Sequence, residues 1–117
     1  MNPIKCAVIG VGYLGRFHAQ KLKNIPNSNL IAVCDLDKKS TDAVAAELNV
    51  IPCYDYKEIL KDKEVDLVLL TTQHNMHAKM TIEAIISGKS VFVEKPLALN
   101  EVELEEIIKN YAANDVN

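Results

Sequence analysis

The sequence lacks the features that would place it in a membrane or on a nucleic acid. No apolar run approaches the length of about 18 residues that a spanning helix needs, and no apolar stretch behind a charged start forms a signal peptide. The chain has no basic stripe and no arginine cluster, and its formal net charge is −3. Nucleic acid is therefore not an expected partner. These absences together predict a cytoplasmic protein.

Cysteine is scarce, and its three occurrences are Cys6, Cys34 and Cys53. Each lies within an apolar run, and three cysteines cannot all pair within one chain. The pattern is typical of reduced, buried thiols in a cytosolic protein. A metal site is the alternative, but no Cys-x-x-Cys pair or Cys/His spacing supports it, so no metal is predicted.

Glycine is also scarce, with four residues in the chain, and three of them fall in the six-residue segment Gly10–Gly15. This segment reads Gly-x-Gly-x-x-Gly; an apolar run precedes it and a helical pattern follows it. Asp35 comes twenty positions after Gly15, at the end of the next apolar run. Strand, glycine turn, helix, strand and acid in this order form the fingerprint of a dinucleotide-binding unit.

Each part of this glycine segment has a physical role in that interpretation. Gly10 allows a tight turn out of the strand, Gly12 lets the backbone approach a pyrophosphate, and Gly15 lets the helix pack closely on the sheet. The free amides at the helix start, around Tyr13 and Leu14, would face the phosphates with the aid of the helix dipole. The alternative is a glycine-rich turn that binds nothing.

Asp35 indicates which dinucleotide is bound. Its carboxylate can accept both ribose hydroxyls of an adenosine, whereas a 2′-phosphate at about 4 Å would meet a like charge at a cost of up to ~4 kcal/mol. NAD is therefore favoured over NADP. Two alternatives stay open: Lys38 and Lys39 follow closely and could accept a phosphate, and Asp35 could simply turn the chain.

Apolar runs alternate with amphipathic stretches from one end of the chain to the other. Strands are predicted at Lys5–Ile9, Leu30–Cys34, Ile51–Tyr54, Asp66–Leu70 and Ser90–Val93. Helices are predicted from Gly12 to Asn24 (with Leu14, Phe17, Leu22 and Ile25 at helical spacing), from a capping Asp37 to Glu47, from a capping Asp55 through Leu60, from Asn75 to Ser87, where Gly88 stops the helix, and from Asn100 to Tyr111. This alternation predicts an α/β fold in one domain over residues 1–117, a Rossmann-type doubly wound parallel sheet of order 3-2-1-4-5.

The segment Thr71–His77 leaves the fourth predicted strand at its carboxyl end. Ligands bind at that edge of an open parallel sheet, so Thr71, Thr72, Gln73 and His77 are expected to line a cofactor crevice. For a lone histidine at a helix start, a capping or surface role is the alternative.

These motifs, followed by Glu94-Lys95-Pro96 at the end of the last strand, resemble the N-terminal domain of the glucose–fructose oxidoreductase/inositol dehydrogenase/MocA family. The resemblance covers nearly the whole chain, although Thr72 and Gln73 stand where the family usually has Pro and then Asn or Thr. It implies that Lys95 is catalytic, beside the nicotinamide and the reacting carbon of the substrate. It also implies that Glu94 helps to position the cofactor.

The same resemblance implies an activity: hydride transfer between NAD and a hydroxyl-bearing carbon of a sugar, cyclitol or nucleotide sugar. No counterpart of the family's second domain, which carries a catalytic histidine, is found in these 117 residues. We therefore expect the chain alone to bind cofactor without turnover, and to form a homodimer through the sheet edge that the missing domain leaves exposed. A stand-alone NAD(H)-binding redox sensor and a methyltransferase are the alternatives.

Overall fold

A computed structural model gives the fold and describes residues 3–26, 28–72 and 77–93; for Tyr13 and His77 it describes the backbone alone. Strands and helices alternate in this part of the chain. In order they are β1 (Ile4–Ile9), α1 (Tyr13–Asn24), β2 (Ser28–Cys34), α2 (Lys38–Leu48), β3 (Ile51–Cys53), α3 (Tyr56–Lys61), β4 (Leu67–Leu70), α4 (His77–Ile86) and β5 (Ser90–Val93). Within these residues, no helix is long and apolar enough to cross a membrane.

The predicted strands are confirmed, with small corrections at their ends. Ser90–Val93 has the predicted bounds, and the other four strands differ by one or two residues at an end. The reason is that strand pairing, and not the length of an apolar run, decides where a strand begins and ends. The predicted helix over residues 100–111 lies outside the described residues.

The five strands form one parallel sheet in the order β3-β2-β1-β4-β5, so the predicted order is confirmed. Buried side chains fill both faces. One large cluster joins the sheet to α1 and α2, a second joins it to α3 and α4, and a small third cluster packs α4 against β5. This explains why the strands are apolar on both sides, since helices cover both faces of the sheet.

The helix ends follow from local signals in the sequence. The Asp37 carboxylate accepts hydrogen bonds from the amides of Lys39 and Ser40, which caps α2. The Asp55 carboxylate caps α3 in the same way. After α4, Gly88 takes a φ of +82°, a left-handed conformation that glycine adopts without strain. The predicted helix starts at Asp37 and Asp55 and the predicted helix stop at Gly88 are thus confirmed.

The apolar residues of α1 do not all face the sheet. Leu14 and Phe17 are 43% exposed, whereas Ala19 is fully buried. The cause is the close approach of α1 to the turn after β1 at Gly15, where a Cβ would lie 1.8 Å from the carbonyl oxygen of Gly10. Only small side chains fit on this stripe of the helix, so the larger apolar ones point elsewhere.

The three cysteines are all buried with free thiols, as their apolar surroundings predict. Cys6 lies in β1, Cys34 at the end of β2 and Cys53 at the end of β3. In the described part of the chain, no group of three or more His, Cys, Asp or Glu is placed to hold a metal ion.

Candidate functional site

A cleft with a volume of about 500 Å³ opens at the carboxyl edge of the sheet. It is lined by residues at the ends of β1 to β4 and by parts of the helices and turns that follow: Ile9, Gly10, Gly12, Cys34, Asp35, Leu36, Tyr54, Asp55, Tyr56, Thr71, Thr72 and Met80. Five residues expected from the sequence to form the site, Gly10, Gly12, Asp35, Thr71 and Thr72, are therefore brought together here. The edge is the one at which open parallel sheets bind ligands.

Gly10 and Gly15 are required by the fold itself. Gly10 takes a φ of +99°, and a Cβ there would lie 2.7 Å from the carbonyl carbon and oxygen of Thr71. At Gly15 a Cβ would meet Gly10, as described above. The Thr71 hydroxyl donates a hydrogen bond to the Gly10 carbonyl at 2.6 Å, which joins the end of β4 to the turn after β1. These two glycines position the site, and Gly15 does not itself line the cleft.

Gly12 differs, because nothing in the described part of the chain requires a glycine there. Its φ of −68° suits any residue, and a Cβ would have no atom of the described residues within 4 Å. Gly12 is the N-cap of α1 and lines the cleft, and no side chain caps this helix end. The first amides of α1, from Gly12 to Gly15, have no acceptor within the helix. They offer a binding place for an anion.

Asp35 connects the glycine turn after β1 with the segment that follows β2. One carboxylate oxygen accepts a hydrogen bond from the Val11 amide at 2.9 Å, and the other accepts from the Asp37 amide at 3.3 Å. The residue thus holds the glycine turn to the end of β2, a role that the sequence does not reveal. A carboxylate has about four lone-pair sites, so both oxygens can accept further hydrogen bonds.

The sequence motifs did not predict a second wall of the cleft. Leu36, Tyr54, Asp55 and Tyr56 line it, and Leu36 is 85% exposed. The three residues from Tyr54 follow β3, whose carboxyl end meets the same sheet edge as β4. The rule that pointed to Thr71 would have identified them as well. Met80 of α4 is buried and also lines the cleft.

Tyr56 ties this wall to α4. Its hydroxyl donates to a Glu83 carboxylate oxygen at 2.7 Å. Burial, and then this bond, raise the pKa of Tyr56 from 10.0 to about 12. The neutral hydroxyl is therefore the form that the folded protein favours.

This shift predicts a loss of stability at alkaline pH. Because the pKa of Tyr56 is raised by folding, its contribution to stability is fully present below pH 10 and is lost as the pH rises towards about 12. In the Tyr56→Phe variant this alkaline loss of stability should be absent. Urea unfolding of the wild type and the variant between about pH 9 and pH 12 measures the free energy of unfolding that shows it. Tyr54→Phe, whose hydroxyl bonds to Asp42 at the surface, should change the profile less.

Other predicted site residues lie elsewhere or outside the description. Leu14 is partly exposed and does not line the cleft, while Tyr13 and His77 begin α1 and α4 and are described only in their backbone. Gln73, and the Glu94 and Lys95 of the Glu-Lys-Pro element, lie outside the described residues.

Comparison with known proteins gives a consistent result. The family model described as "Oxidoreductase family, NAD-binding Rossmann fold" matches residues 4–116. The scyllo-inositol 2-dehydrogenase (NAD(+)) of Bacillus subtilis is 39% identical over 101 residues, which are 85% of this chain and 30% of the relative. The chain thus spans about a third of the length of such relatives.

Solved structures match equally well. The crystal structure of myo-inositol 2-dehydrogenase from Lactobacillus plantarum superposes with a TM-score of 0.90 at 35% identity, covering 97% of this chain and 34% of that one. Scyllo-inositol dehydrogenase from Lactobacillus casei, solved with NAD(H) and scyllo-inositol bound, matches with a TM-score of 0.91 at 26% identity and the same coverage. This chain belongs to the glucose–fructose oxidoreductase/inositol dehydrogenase/MocA family of oxidoreductases and corresponds to its NAD-binding Rossmann-fold domain.

Proposed function

We propose that the cleft binds NAD(H) with its pyrophosphate at the start of α1 and its adenosine ribose at Asp35. The observation that carries this proposal is Gly12: a Cβ there would meet no atom of the described residues, so the described fold does not account for the glycine. A pyrophosphate that approaches the backbone amides closely would account for it. The anion-binding character of the uncapped helix start supports the same assignment.

In this proposal, different residues of the chain hold different parts of the dinucleotide. The amides of Gly12 to Gly15 bind phosphate oxygens, and the helix dipole adds to their attraction. The Asp35 carboxylate accepts the ribose hydroxyls, and its bond to the Val11 amide keeps it at a constant distance from the turn. Leu36 offers an apolar surface beside that ribose. When bound, the nicotinamide supplies the hydride chemistry.

We infer further that the chain serves an oxidoreductase that acts on a hydroxyl-bearing carbon of a sugar, cyclitol or nucleotide sugar. The inositol dehydrogenases among its relatives support this substrate class, and one of them was solved with scyllo-inositol bound. In this proposal Lys95 moves a proton at the substrate hydroxyl and Glu94 positions the cofactor. A lysine suits this role because its pKa falls readily when it is buried.

The 117-residue chain alone is proposed to bind cofactor without turnover, because it spans about a third of the length of its relatives. A homodimer through the outer edge of β5, where Phe92 is half exposed, and a cytoplasmic location stay predictions. Incubation of the chain with NAD and inositol should give no NADH above the protein-free control. A rate typical of dehydrogenases would contradict this part of the proposal.

Titration calorimetry with NADH and NADPH tests the cofactor assignment. We expect NADH to bind more tightly than NADPH, because the Asp35 carboxylate repels a 2′-phosphate. In Asp35→Asn the amide oxygen can still accept from Val11, but the charge is gone. NADH affinity should then fall about tenfold, since hydrogen bonds to charged groups are the stronger ones. The difference between the affinities for NADH and for NADPH should also become smaller.

Asp66→Asn is the matched control. The Asp66 carboxylate also accepts a backbone hydrogen bond, from Lys5 at 3.0 Å, but at the opposite edge of the sheet. This variant should bind NADH as the wild type does. If Asp35→Asn bound NADH unchanged, or if the wild type preferred NADPH, the role assigned to Asp35 would be wrong.

A further inference from the structure

Two of the three cysteines stand directly opposite each other at the edge of the cleft. Cys34 in β2 and Cys53 in β3 are registered partners in the parallel pair. Neighbouring strands lie about 4.8 Å apart, within the 4.4–6.8 Å range of Cα separations that a disulfide spans. Both residues belong to the same buried cluster, so their side chains lie on the same face of the sheet.

This pair is connected to both walls of the cleft. Cys34 lines the cleft and immediately precedes Asp35, whose amide donates to the Cys53 carbonyl at 3.1 Å. The Cys53 thiol lies 3.2 Å from the Asp55 carbonyl, to which it donates. Burial, and then the neighbouring Cys53 thiol, raise the pKa of Cys34. The folded protein therefore favours the protonated thiol of Cys34, and both cysteines pack in the same buried cluster.

Cys53 is the more accessible of the two. It is 9% exposed, against 1% for Cys34. It also ends a three-residue edge strand in which Ile51 is 67% exposed and Pro52 has no amide to donate. A strand held by so few hydrogen bonds opens locally more readily than the central β1 or β2. An oxidant therefore reaches Cys53 first.

We propose that Cys34 and Cys53 form a reversible oxidation site for hydrogen peroxide, and that its disulfide weakens dinucleotide binding. The Cys53 sulfur attacks one oxygen of peroxide and the O–O bond breaks, which leaves a sulfenic acid on Cys53. The departing hydroxide takes up the thiol proton and leaves as one water. The Cys34 thiol then attacks the sulfenic sulfur, forms the S–S bond and releases a second water. Two thiols thus supply the two electrons that reduce one peroxide.

The effect on binding follows from the contacts that the disulfide replaces. Closing the bond withdraws the Cys53 sulfur from the Asp55 carbonyl, to which it donates in the reduced protein. Asp55 lines the cleft between Tyr54 and Tyr56, so this wall loses a contact that holds it to the end of β3. This second half of the proposal rests on the proposed NAD(H) site. Thiol reductants reverse the change, as is usual for labile, regulatory disulfides.

Mass spectrometry tests the bond itself. Folded protein is titrated with peroxide, denatured, alkylated and digested with trypsin. The expected product has lost the mass of two hydrogen atoms, and residues 24–38 are joined to residues 40–57. Cys6→Ser should give the same product, because Cys6 is also buried but lies in β1, where its registered partners are Leu30 and Leu67. Cys53→Ser should not. A bond that involves Cys6, a bond between chains, or two unmodified thiols at Cys34 and Cys53 after treatment would each overturn the proposal.

NADH titration tests the consequence. The oxidised Cys6→Ser protein should bind NADH about fivefold more weakly than the reduced form, a change the size of one ordinary hydrogen bond, and dithiothreitol should restore binding. Peroxide-treated Cys53→Ser should keep its affinity. A disulfide with unchanged NADH affinity would overturn the regulatory half. If the reduced protein bound no NADH, the proposed NAD(H) site would fail, while the mass result would still decide whether the disulfide forms.

Discussion

Replacing Gly15 by alanine is expected to destabilise the protein by about 3 kcal/mol or more, which corresponds to a fall of about 10 °C in Tm. The added Cβ would lie 1.8 Å from the Gly10 carbonyl oxygen and 2.7 Å from the Thr71 hydroxyl oxygen. Alanine favours a helix over glycine by about 0.5–1 kcal/mol, but this gain is smaller than the cost of the overlap. The nearest atom is a backbone oxygen, so α1 must move away from the turn at Gly10.

Denaturant unfolding of the wild type and of Gly15→Ala measures this loss. The matched control is Gly12→Ala, the same substitution three residues earlier, which should change the free energy of unfolding by less than about 1 kcal/mol. If Gly15→Ala proved as stable as Gly12→Ala, Gly15 would not be the residue that allows α1 to lie close to the turn after β1.

Gly12→Ala should instead impair binding. We expect its affinity for NADH to fall at least about tenfold while the fold stays intact, because the methyl group separates the pyrophosphate from the helix amides. The backbone of Gly12, with a φ of −68° and a ψ of −163°, accepts alanine without strain. We therefore expect Gly12→Ala to lower mainly NADH affinity, and Gly15→Ala to lower mainly stability, although both glycines belong to one motif.

Calorimetry on Gly12→Ala, beside its unfolding curve, measures both quantities. Lys23→Ala, an exposed change in the last turn of the same helix, should leave NADH affinity unchanged. NADH binding at wild-type strength in Gly12→Ala would contradict the placement of the pyrophosphate at the start of α1.

Asp35 illustrates how a residue predicted to bind the cofactor can also serve the fold. The sequence pattern gives it a place at the end of β2 and a role towards a ribose. The structure adds a bond from the Val11 amide at 2.9 Å. The charge that would recognise the ribose therefore also holds the glycine turn. This coupling is the reason for testing Asp35→Asn, which retains an acceptor, in place of a truncation.

The order of strands and helices could be predicted because each local signal agrees with the whole. Apolar runs too short for helices alternate with amphipathic stretches, and Asp37, Asp55 and Gly88 mark helix ends through hydrogen bonds and conformations that depend on neighbouring residues alone. Right-handed crossover connections then leave few topologies, among which 3-2-1-4-5 is the expected one. Gly10, Gly12 and Asp35 were found for the same reason, since their spacing is local.

Contacts between distant segments could not be predicted in this way. The Tyr56–Glu83 bond, the pairing of Cys34 with Cys53 and the exposure of Phe17 depend on how far apart strands and helices lie once they pack. The sequence by itself determined the Rossmann-type order of elements and the dinucleotide fingerprint, because both are written in short-range patterns. Only the tertiary structure decided which glycines the fold requires, which one it does not, and which two cysteines lie opposite each other, because these depend on distances between segments far apart in the chain.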